Sequence, residues 1–363
     1  MSNIVYVDNA ATTKIKPEVL DQMMPYLTEF YGNPSSIYSI AQESKKAIET
    51  AREKVAKAIH ADPKEIVFTS GATESDNWAL KGIAYANRGK GNHIITTKIE
   101  HHAILHTAQQ LEKEGFEVTY LDVGNADCEI IRMEDGTNIL IDAGTKDQSR
   151  HIVRTLKRKG IRKIDYLIAT HPHADHIGGM ADVIDQLEIG TVVFPPAVHT
   201  SKTYENMLQK IREKQIPAVK AEAGVVLKEA NPYKIQLVAP KKNEKYEDLN
   251  NYSAVLRITY GSTSFLFAGD AEKLSENEML HYEIRSDVLK VGHHGSRTSS
   301  SERFIAKVNP RIAVISCGKG NEYGHPHAET LEALKNAEVY RTDQNGDIII
   351  HTDGTTLTVA TEK

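Results

Sequence analysis

The stretch Ile168-Ala169-Thr170-His171-Pro172-His173-Ala174-Asp175-His176-Ile177-Gly178-Gly179 runs from an apolar strand through a turn into the start of a helix. It places three imidazoles and one carboxylate between residues 171 and 176. Neighbouring ligands on such a turn cannot all face one ion. They suit two ions roughly 3.5–4 Å apart, with His171 and His173 on one side and Asp175 and His176 on the other. Two cations so placed lower the pKa of a shared water, giving hydroxide near neutral pH, and stabilise charge as it attacks a phosphorus or carbonyl centre. The bland alternative is a histidine-rich turn satisfied by its own hydrogen bonds.

Three further segments end in polar groups in the same manner. Ile139-Leu140-Ile141-Asp142-Ala143-Gly144 delivers Asp142 from an apolar strand, and Phe265-Leu266-Phe267-Ala268-Gly269-Asp270 delivers Asp270. Val288-Leu289-Lys290-Val291-Gly292 leads into His293-His294. One strand-terminal Asp is more often a turn or cap residue. Several, together with the histidine cluster, converge naturally on one sheet edge. A third metal would need more carboxylates than these motifs supply.

Positioning these groups requires strands that end at one rim. Strands are expected at Glu117–Val123, Glu129–Met133 and Asn138–Asp142, the last two joined through Asp135-Gly136, a strong hairpin signal. Helices at Gln148–Gly160 and Gly178–Leu187 flank a strand at Tyr166–Ala169. Later strands are expected near Thr191–Phe194, Ile235–Val238, Ala254–Tyr260, Ser264–Phe267, Asp287–Val291, Ile312–Ser316 and Asp347–His351. Hairpins flanking βα units suggest two mixed sheets with helices outside. The first third differs. Helices at Pro17 to about Tyr31, Ser36 to about Ala61, around Trp78 and at Ala103–Gly115 alternate with strands at Glu65–Thr69 and His93–Thr97, a βαβ rhythm implying a parallel sheet.

Composition narrows the function classes. At 363 residues, 40% apolar and 26% charged, the chain is neither disordered nor fibrous and has room for two or three domains. A net charge of −5 argues against a broadly basic nucleic-acid binder, though a local groove stays open. No apolar run approaches a membrane span. The start lacks a basic n-region and an apolar h-region, and the two cysteines, Cys128 and Cys317, suit a reducing compartment, so a cytoplasmic protein is expected. Sixteen histidines against seven phenylalanines is a skewed ratio that favours metal chemistry.

Residues from about 117 to 360 resemble the metallo-β-lactamase fold, in the branch similar to the hydrolase domain of the ComEC/Rec2 competence proteins. The likeness rests on Leu121-Asp122-Val123-Gly124-Asn125-Ala126-Asp127, the Asp142 strand end, the histidine motif, Ala268-Gly269-Asp270, Lys290-Val291-Gly292-His293-His294-Gly295-Ser296 and Tyr323-Gly324-His325-Pro326-His327. It implies an αββα sandwich. It implies His171 and His173 at one metal, Asp175 and His176 at the other, and Asp270 bridging both. His293 would complete the second site, with His294 the alternate. Asp142 would fix ligand orientation. The implied ions are a pair of divalent zinc or manganese ions. The broader family adds a downstream histidine to the first metal; here only His199 lies in the interval, and it stands as that ligand, a substrate contact or a loop residue. His325 and His327 would donate a proton to the leaving group, line the mouth or lie exposed. The hydroxyls of Ser296 and of 298–301 are either phosphate contacts or the cap of the next helix.

Residues 4 to about 122 resemble a second family, the NifS/IscS-type cysteine desulfurases of the pyridoxal-phosphate (PLP)-dependent class V aminotransferase fold. Tyr6-Val7-Asp8-Asn9-Ala10-Ala11-Thr12-Thr13, Gly32-Asn33-Pro34-Ser35-Ser36, Thr69-Ser70-Gly71-Ala72-Thr73-Glu74-Ser75-Asp76-Asn77 and Glu100-His101-His102-Ala103 carry the likeness, with Tyr38 where a histidine is usual. It implies that Ala72 and Thr73 hold the PLP phosphate at a helix N-terminus and that His101 stacks on its ring. The family's Schiff-base lysine, its Asp partner and its cysteine loop have no counterpart, and no Ser-x-His-Lys pattern occurs. A vestigial site without PLP or desulfurase activity is therefore expected.

The expected fold class is α/β: a metallo-β-lactamase αββα sandwich at 117–363, preceded at 1–116 by a partial α/β fragment of the aminotransferase fold. The fusion falls on a strand, Gly115 to Val123, that reads acceptably in both families. The truncated part would expose a sheet edge and apolar helix faces unless the neighbouring domain or a second chain, in a homodimer through this region, covers them. The leading function is a dinuclear metal hydrolase acting on a phosphodiester, nuclease-like, with nucleic acid or a small phosphodiester as substrate. Lys202, Lys210, Arg212 and Lys214 are either a phosphate track or a solvated helix face. A hydrolase of small esters or lactones is the nearest alternative. From other classes come a PLP-dependent desulfurase and a non-catalytic module with structural metals, against which the open, dinuclear ligand set argues.

Overall fold

The computed structural model describes residues 5–9, 11–87, 94–113 and 116–363. Its chain divides into two compact units, Met1–Ser75 and Asp76–Lys363.

The first unit carries helices Pro17–Thr28 and Ser39–Ile59 and a single turn at Pro63–Glu65. Pro17 opens the first helix, where its missing N–H costs nothing. Asp62 and Glu65 close a reciprocal capping box around the short turn. Apolar burial is scant: Pro17–Thr28 buries no residue, and Val19, Leu20, Met23 and Leu27 are all exposed. The strand expected at Glu65–Thr69 does not form. In the second unit, residues 94–97 are likewise not a strand, and His93 lies outside the described residues. The parallel sheet expected in the first third is therefore absent among the described residues. A short strand needs partners to satisfy its backbone and bury a face, and the described residues before 116, largely helical, offer none. The expected helix near Trp78 and that after His101 do form, the latter as His102–Lys113; Gly115, its expected end, lies outside the described residues.

From residue 116 the second unit is a four-layer sandwich. Its strands are β1 (Phe116–Tyr120), β2 (Glu129–Arg132), β3 (Asn138–Ile141), β4 (Lys163–Ile168), β5 (Glu188–Phe194), β6 (Ala218–Lys220), β7 (Val226–Ala230), β8 (Tyr233–Ala239), β9 (Val255–Tyr260), β10 (Thr263–Phe267), β11 (Val288–Lys290), β12 (Ile312–Ile315), β13 (Glu338–Arg341), β14 (Ile348–Thr352) and β15 (Leu357–Thr361). One sheet runs β15-β14-β1-β2-β3-β4-β5-β6 and the other β13-β12-β11-β10-β9-β8-β7. Neighbours among β3 to β6 and among β10 to β13 are parallel; the remaining pairs are antiparallel.

Both faces of each sheet are covered, so central strands carry apolar runs whose alternate residues enter different cores. Ile139 and Ile141 face the core between the sheets while Leu140 faces helices Ser149–Arg158 and Met180–Gln186. Phe265 and Phe267 face the same central core, and Leu266 packs outward with Phe304 and Val308 of helix Glu302–Val308. The β2–β3 hairpin closes through Gly136 at φ +87°, as the Asp-Gly pair predicts. Four strands were not legible in the sequence: β6, β7, β13 and β15. Each is the edge of a sheet, where exposure dilutes the apolar pattern.

Candidate metal centre

Ends of two strands from each sheet meet at one rim. Beyond β3 the chain turns at Asp142 (φ +55°) and Gly144 (φ +54°), and beyond β10 at Gly269 (φ +54°), which a side chain would crowd against Thr170 and Ser253. Beyond β11, His293 and His294 also adopt left-handed φ values of +50° and +53°. Non-glycine residues pay for that conformation, and here three of them carry polar groups into one centre. The sheets are tied at this rim where Ala254 N–H donates to the Thr170 carbonyl at 2.8 Å; within the second sheet, Asp270 N–H donates to Ser253 Oγ at 3.0 Å.

Asp142 is fully buried and accepts three hydrogen bonds. Thr170 N–H donates at 2.8 Å and Thr170 Oγ1 at 2.6 Å, and Asp142 Oδ2 lies 2.7 Å from His176 Nδ1. This fixes the His176 ring so that Nε2 faces Asp270 Oδ2 at 3.3 Å and Asp175 Oδ2 at 3.9 Å. His171 Nε2 lies 3.7 Å from the same Asp270 oxygen and 2.9 Å from His173 Nδ1. His294 Nε2 stands 3.5 Å from Asp175 Oδ2 and 3.8 Å from Asp270 Oδ1. On its other side, His294 Nδ1 bonds the Ser316 carbonyl at 3.0 Å and lies 3.4 Å from Asp127 Oδ1.

Three groups of ligand atoms result: His171, His176 and Asp270; Asp175, His176 and His294; and Asp127, Asp142 and His176. The first two share the side of the centre on which Asp270 lies. Of the doublet, His294 is buried and enters a group. His293 lies 3.7 Å from Asp270 Oδ2, with Nδ1 bonded to Thr298 Oγ1 at 3.1 Å and facing Glu272 at 3.4 Å. His173 touches His171 without entering a group. His199 is half-buried, its ring 6.3 Å from that of His173 and its Nδ1 accepting from Ser201 N–H. His325 lies at the rim, 5.9 Å from the His293 ring and 6.3 Å from that of His294; His327 packs on His325 and accepts from Arg297 N–H.

Electrostatics follow the geometry. Burial would push the Asp270 carboxyl up, but His176, His294 and His171 outweigh it and hold it well below the usual carboxylate range. Burial likewise opposes charge on His176 and His294, yet Asp270 with Asp142 raises the former well above its ordinary value, and Asp270 with Asp127 raises the latter to about 10. Asp175 is held at about 2, the His294 and His176 imidazoles prevailing over burial. His171 is pushed well down by burial and by neighbouring His176, which favours the neutral imidazole. Carboxylates thus hold protons on imidazoles where a cation would serve better. Donor chemistry agrees: Asp270 Oδ1, His176 Nε2 and His294 Nε2 are buried without a hydrogen-bond partner.

Sequence reasoning missed Asp127. It closes the Leu121–Asp127 stretch with nothing local to mark it, and its role depends on β11 from the other sheet. The serine run proves mostly structural. Ser299 Oγ donates to Gly292 and Ser296 carbonyls, and Ser300 and Ser301 N–H groups go to the Glu276 carboxylate. Lys210 pairs with Asp185 and Glu213, and Lys214 Nζ caps the Ile184 and Asp185 carbonyls, so two of the four cations of the expected phosphate track are committed within the protein. Ala72 and Thr73 begin the helix Ala72–Asn87, and His101 Nδ1 accepts from Ala103 N–H at 3.1 Å.

The turn after His176 is held by glycine. A Cβ at Gly178 would lie 2.5 Å from the Ala174 carbonyl oxygen and the Lys146 nitrogen, and 2.7 Å from the Gly144 oxygen. Gly178→Ala should therefore force the histidine turn away from the Asp142 loop and destabilise the unit by about 1–3 kcal/mol, measured by urea unfolding. An alanine variant as stable as the native chain would contradict that close approach.

Comparison with known proteins divides the chain in two. A family model described as Metallo-beta-lactamase superfamily matches residues 121–319, and one described as Aminotransferase class-V matches residues 5–143. The chain is 61% identical over 142 residues to cysteine desulfurase IscS of Clostridium botulinum (strain Kyoto / Type A2), covering 39% of this chain and 35% of that protein. It is 64% identical over 119 residues to cysteine desulfurase IscS of Methanosarcina thermophila, covering 33% and 30%. It spans about a third of the length of these relatives. Among solved structures, the metallo-beta-lactamase fold protein YhfI from Bacillus subtilis is 13% identical with a TM-score of 0.45, over 65% of this chain and all of that one. A NifS-like protein is 29% identical with a TM-score of 0.30, over 53% and 50%.

Proposed function

We propose that this chain, a metal-dependent hydrolase that belongs to the metallo-beta-lactamase superfamily through residues 121–319, cleaves phosphodiesters with the help of two divalent cations. The observation that carries the reading is the meeting of His171, His176, Asp175, Asp270 and His294 from strand ends of two sheets, with His176 Nε2, His294 Nε2 and Asp270 Oδ1 buried and uncommitted. Bound zinc or manganese would supply Lewis acidity and a lowered pKa for the attacking water.

The chain's own residues do the positioning. His171, with His173 beside it and His199 beyond, would hold one cation, and Asp175, His176 and His294 the other. Asp270 directs one carboxylate oxygen toward His171 and His176 and the other toward His294, so it would serve both. Asp142 locks the His176 tautomer by taking its Nδ1 side. Asp175, only half-buried, stands at the open face where water and substrate enter. His325 is pushed down to about 4 by burial and by His294 and His293, so near pH 7 it is a neutral imidazole at the mouth, able to hydrogen-bond a leaving group. His327 lies behind it.

Phosphate is favoured by the neighbouring ground. A cleft of about 570 Å³ is lined by Lys273, Arg297 and Thr298 together with Asn251, Glu272 and Glu329. Glu272 and Thr298 both touch His293, so this cleft opens directly beside the centre and offers two cations to phosphate oxygens. Nucleic acid, by the likeness to the ComEC/Rec2 hydrolase domain, is the proposed natural phosphodiester. Small esters and lactones are the second reading.

For residues 1–116 we propose a desulfurase-like fragment that performs no PLP chemistry, its apolar helix faces covered by a second copy of the chain. Both cysteines are buried and free, which suits the proposed cytoplasmic location. Among the described residues no helix is long and apolar enough to cross a membrane.

A chromogenic phosphodiester and a lactone, each assayed with metal-loaded native protein and with Asp175→Ala, test the assignment. Metal-dependent turnover of the phosphodiester, reduced about 100-fold or more in the variant, is expected. Turnover of the lactone alone would transfer the assignment to the second reading.

A further inference from the structure

Two of the three ligand groups take His176 by its Nε2, beside Asp270 or the half-buried Asp175. The third, formed by Asp127, Asp142 and His176, is buried throughout and takes His176 by its Nδ1, and its acidic content would attract a cation of its own. A protein with two working metal positions and a buried third carboxylate needs a means of keeping the ions outward. The structure holds one.

Lys290 is the last residue of β11 and is buried to 1% exposure. Along β11, Val288 faces the core between the sheets and Leu289 the outer core, so alternation turns Lys290 inward toward the opposite sheet. Its Nζ donates to Asp127 Oδ2 at 2.7 Å and to the Val291 carbonyl at 3.1 Å. Asp127 is itself buried to 1% and sits at a junction: its N–H donates to the Asp175 carbonyl and its carbonyl accepts from Gly144 N–H. Its carboxylate lies 3.4 Å from His294 Nδ1 and 4.0 Å from His176 Nδ1. Asp127 thus touches the back of both imidazoles whose Nε2 atoms face the open side.

An ammonium in an interior of this kind is costly to bury and is retained only with a partner. Here it has one, and the partner is a carboxylate that would otherwise compete for metal. Meanwhile His176 Nδ1, the remaining donor of the inner group, is engaged by Asp142 at 2.7 Å. Glu129, buried on β2, acts on the same ammonium, while burial and Asp127 favour its neutral form. The inner group is therefore filled by the protein's own charge.

Resting on the metal-centre reading, we propose that Lys290 is a positioning residue for the metal pair: its ammonium occupies Asp127 and withholds that carboxylate from the ions, reserving the Nε2 faces of His176 and His294 for them. Removing the ammonium frees a buried carboxylate behind both imidazoles. Metal is then drawn inward, and the outer ligand geometry is lost although every outer ligand is still present.

Co²⁺ is the probe, since its d–d absorption reports coordination geometry and its uptake can be titrated calorimetrically on the full chain. Native protein should bind two Co²⁺. Lys290→Met should weaken the tighter Co²⁺ site about 10- to 100-fold and displace the d–d bands. The double variant Lys290→Met/Asp127→Asn, which removes the freed charge as well, should return both affinity and spectrum toward native. A Lys290→Met protein with native affinity and bands overturns the inference, as does a double variant no better than the single one. If Lys290→Met does not fold, the double variant decides alone: folded with native-like Co²⁺ binding supports the inference, while weak binding or failure to fold overturns it. Native protein that takes up no Co²⁺ would sink the metal-centre reading as well, whereas native uptake with insensitive variants sinks this inference only.

Discussion

Asp270→Asn is expected to lower metal-dependent kcat/KM by about 10³-fold, or about 4 kcal/mol of transition-state stabilisation, with the fold kept. Asparagine preserves the shape of the side chain and the Ser253 contact is made by the backbone N–H, so the loop after β10 has no reason to move. What disappears is one negative charge shared by four imidazoles: His171, His176 and His293 around Oδ2, and His294 at Oδ1. A neutral amide oxygen can face one side but cannot bridge two cations. Bound metal should fall below two equivalents, and the His176 imidazole, no longer held up by this carboxylate, should titrate at lower pH than in the native metal-free protein. Metal analysis, steady-state kinetics and an NMR titration of the histidines check the three parts. Full metal occupancy with native turnover would remove Asp270 from the centre.

Asp142→Ala should be the most damaging change to stability. Its carboxylate satisfies the Thr170 N–H, the Thr170 hydroxyl and His176 Nδ1, all inside the protein. Without it the Thr170 N–H loses its acceptor, and Thr170 Oγ1 and His176 Nδ1 keep only their weaker contacts, with each other at 3.4 Å and from Thr170 Oγ1 to His171 Nδ1 at 3.1 Å, at a cost of about 3–5 kcal/mol. In a unit of this size that lowers Tm by about 10 °C, measured by calorimetry without added metal. Asp142→Asn keeps the shape and part of the bonding; it should retain most of the stability and instead lose metal affinity about 10- to 100-fold, because an amide NH₂ cannot hold the His176 tautomer as a carboxylate does. A stable Asp142→Ala chain with native metal affinity would mean that Thr170 and His176 find other partners.

Much of this centre was legible because its ligands sit on short, sharply patterned stretches. His171, His173, Asp175 and His176 share one turn, and Asp142 and Asp270 each end an apolar run in a small-residue loop, so local spacing announces them. Central strands were legible for the same reason: burial on both faces leaves an unbroken apolar run, as in Phe265–Phe267. Edge strands β6, β7, β13 and β15 were not, because one exposed side admits Lys220, Lys228, Glu229 and Glu338. In the first third the periodicity of the helices was read correctly, but the strands at 65–69 and 93–97 were expected on local pattern alone. The first, and residues 94–97 of the second, find no pairing partner.

What the sequence determined by itself was the inventory: likenesses to two families along one chain, a candidate set of metal ligands, and the strand ends that carry it. Only the tertiary structure decided which members of that inventory meet. It turned His294 rather than His293 toward Asp175, left His173 and His199 to one side, and brought Lys290 of one sheet onto Asp127 beside the other, 163 positions apart. The reason is physical. Spacing along a chain fixes contacts within a turn or two, whereas contacts between sheets are fixed by the burial of the apolar layer between them, to which every strand contributes and which no single motif encodes.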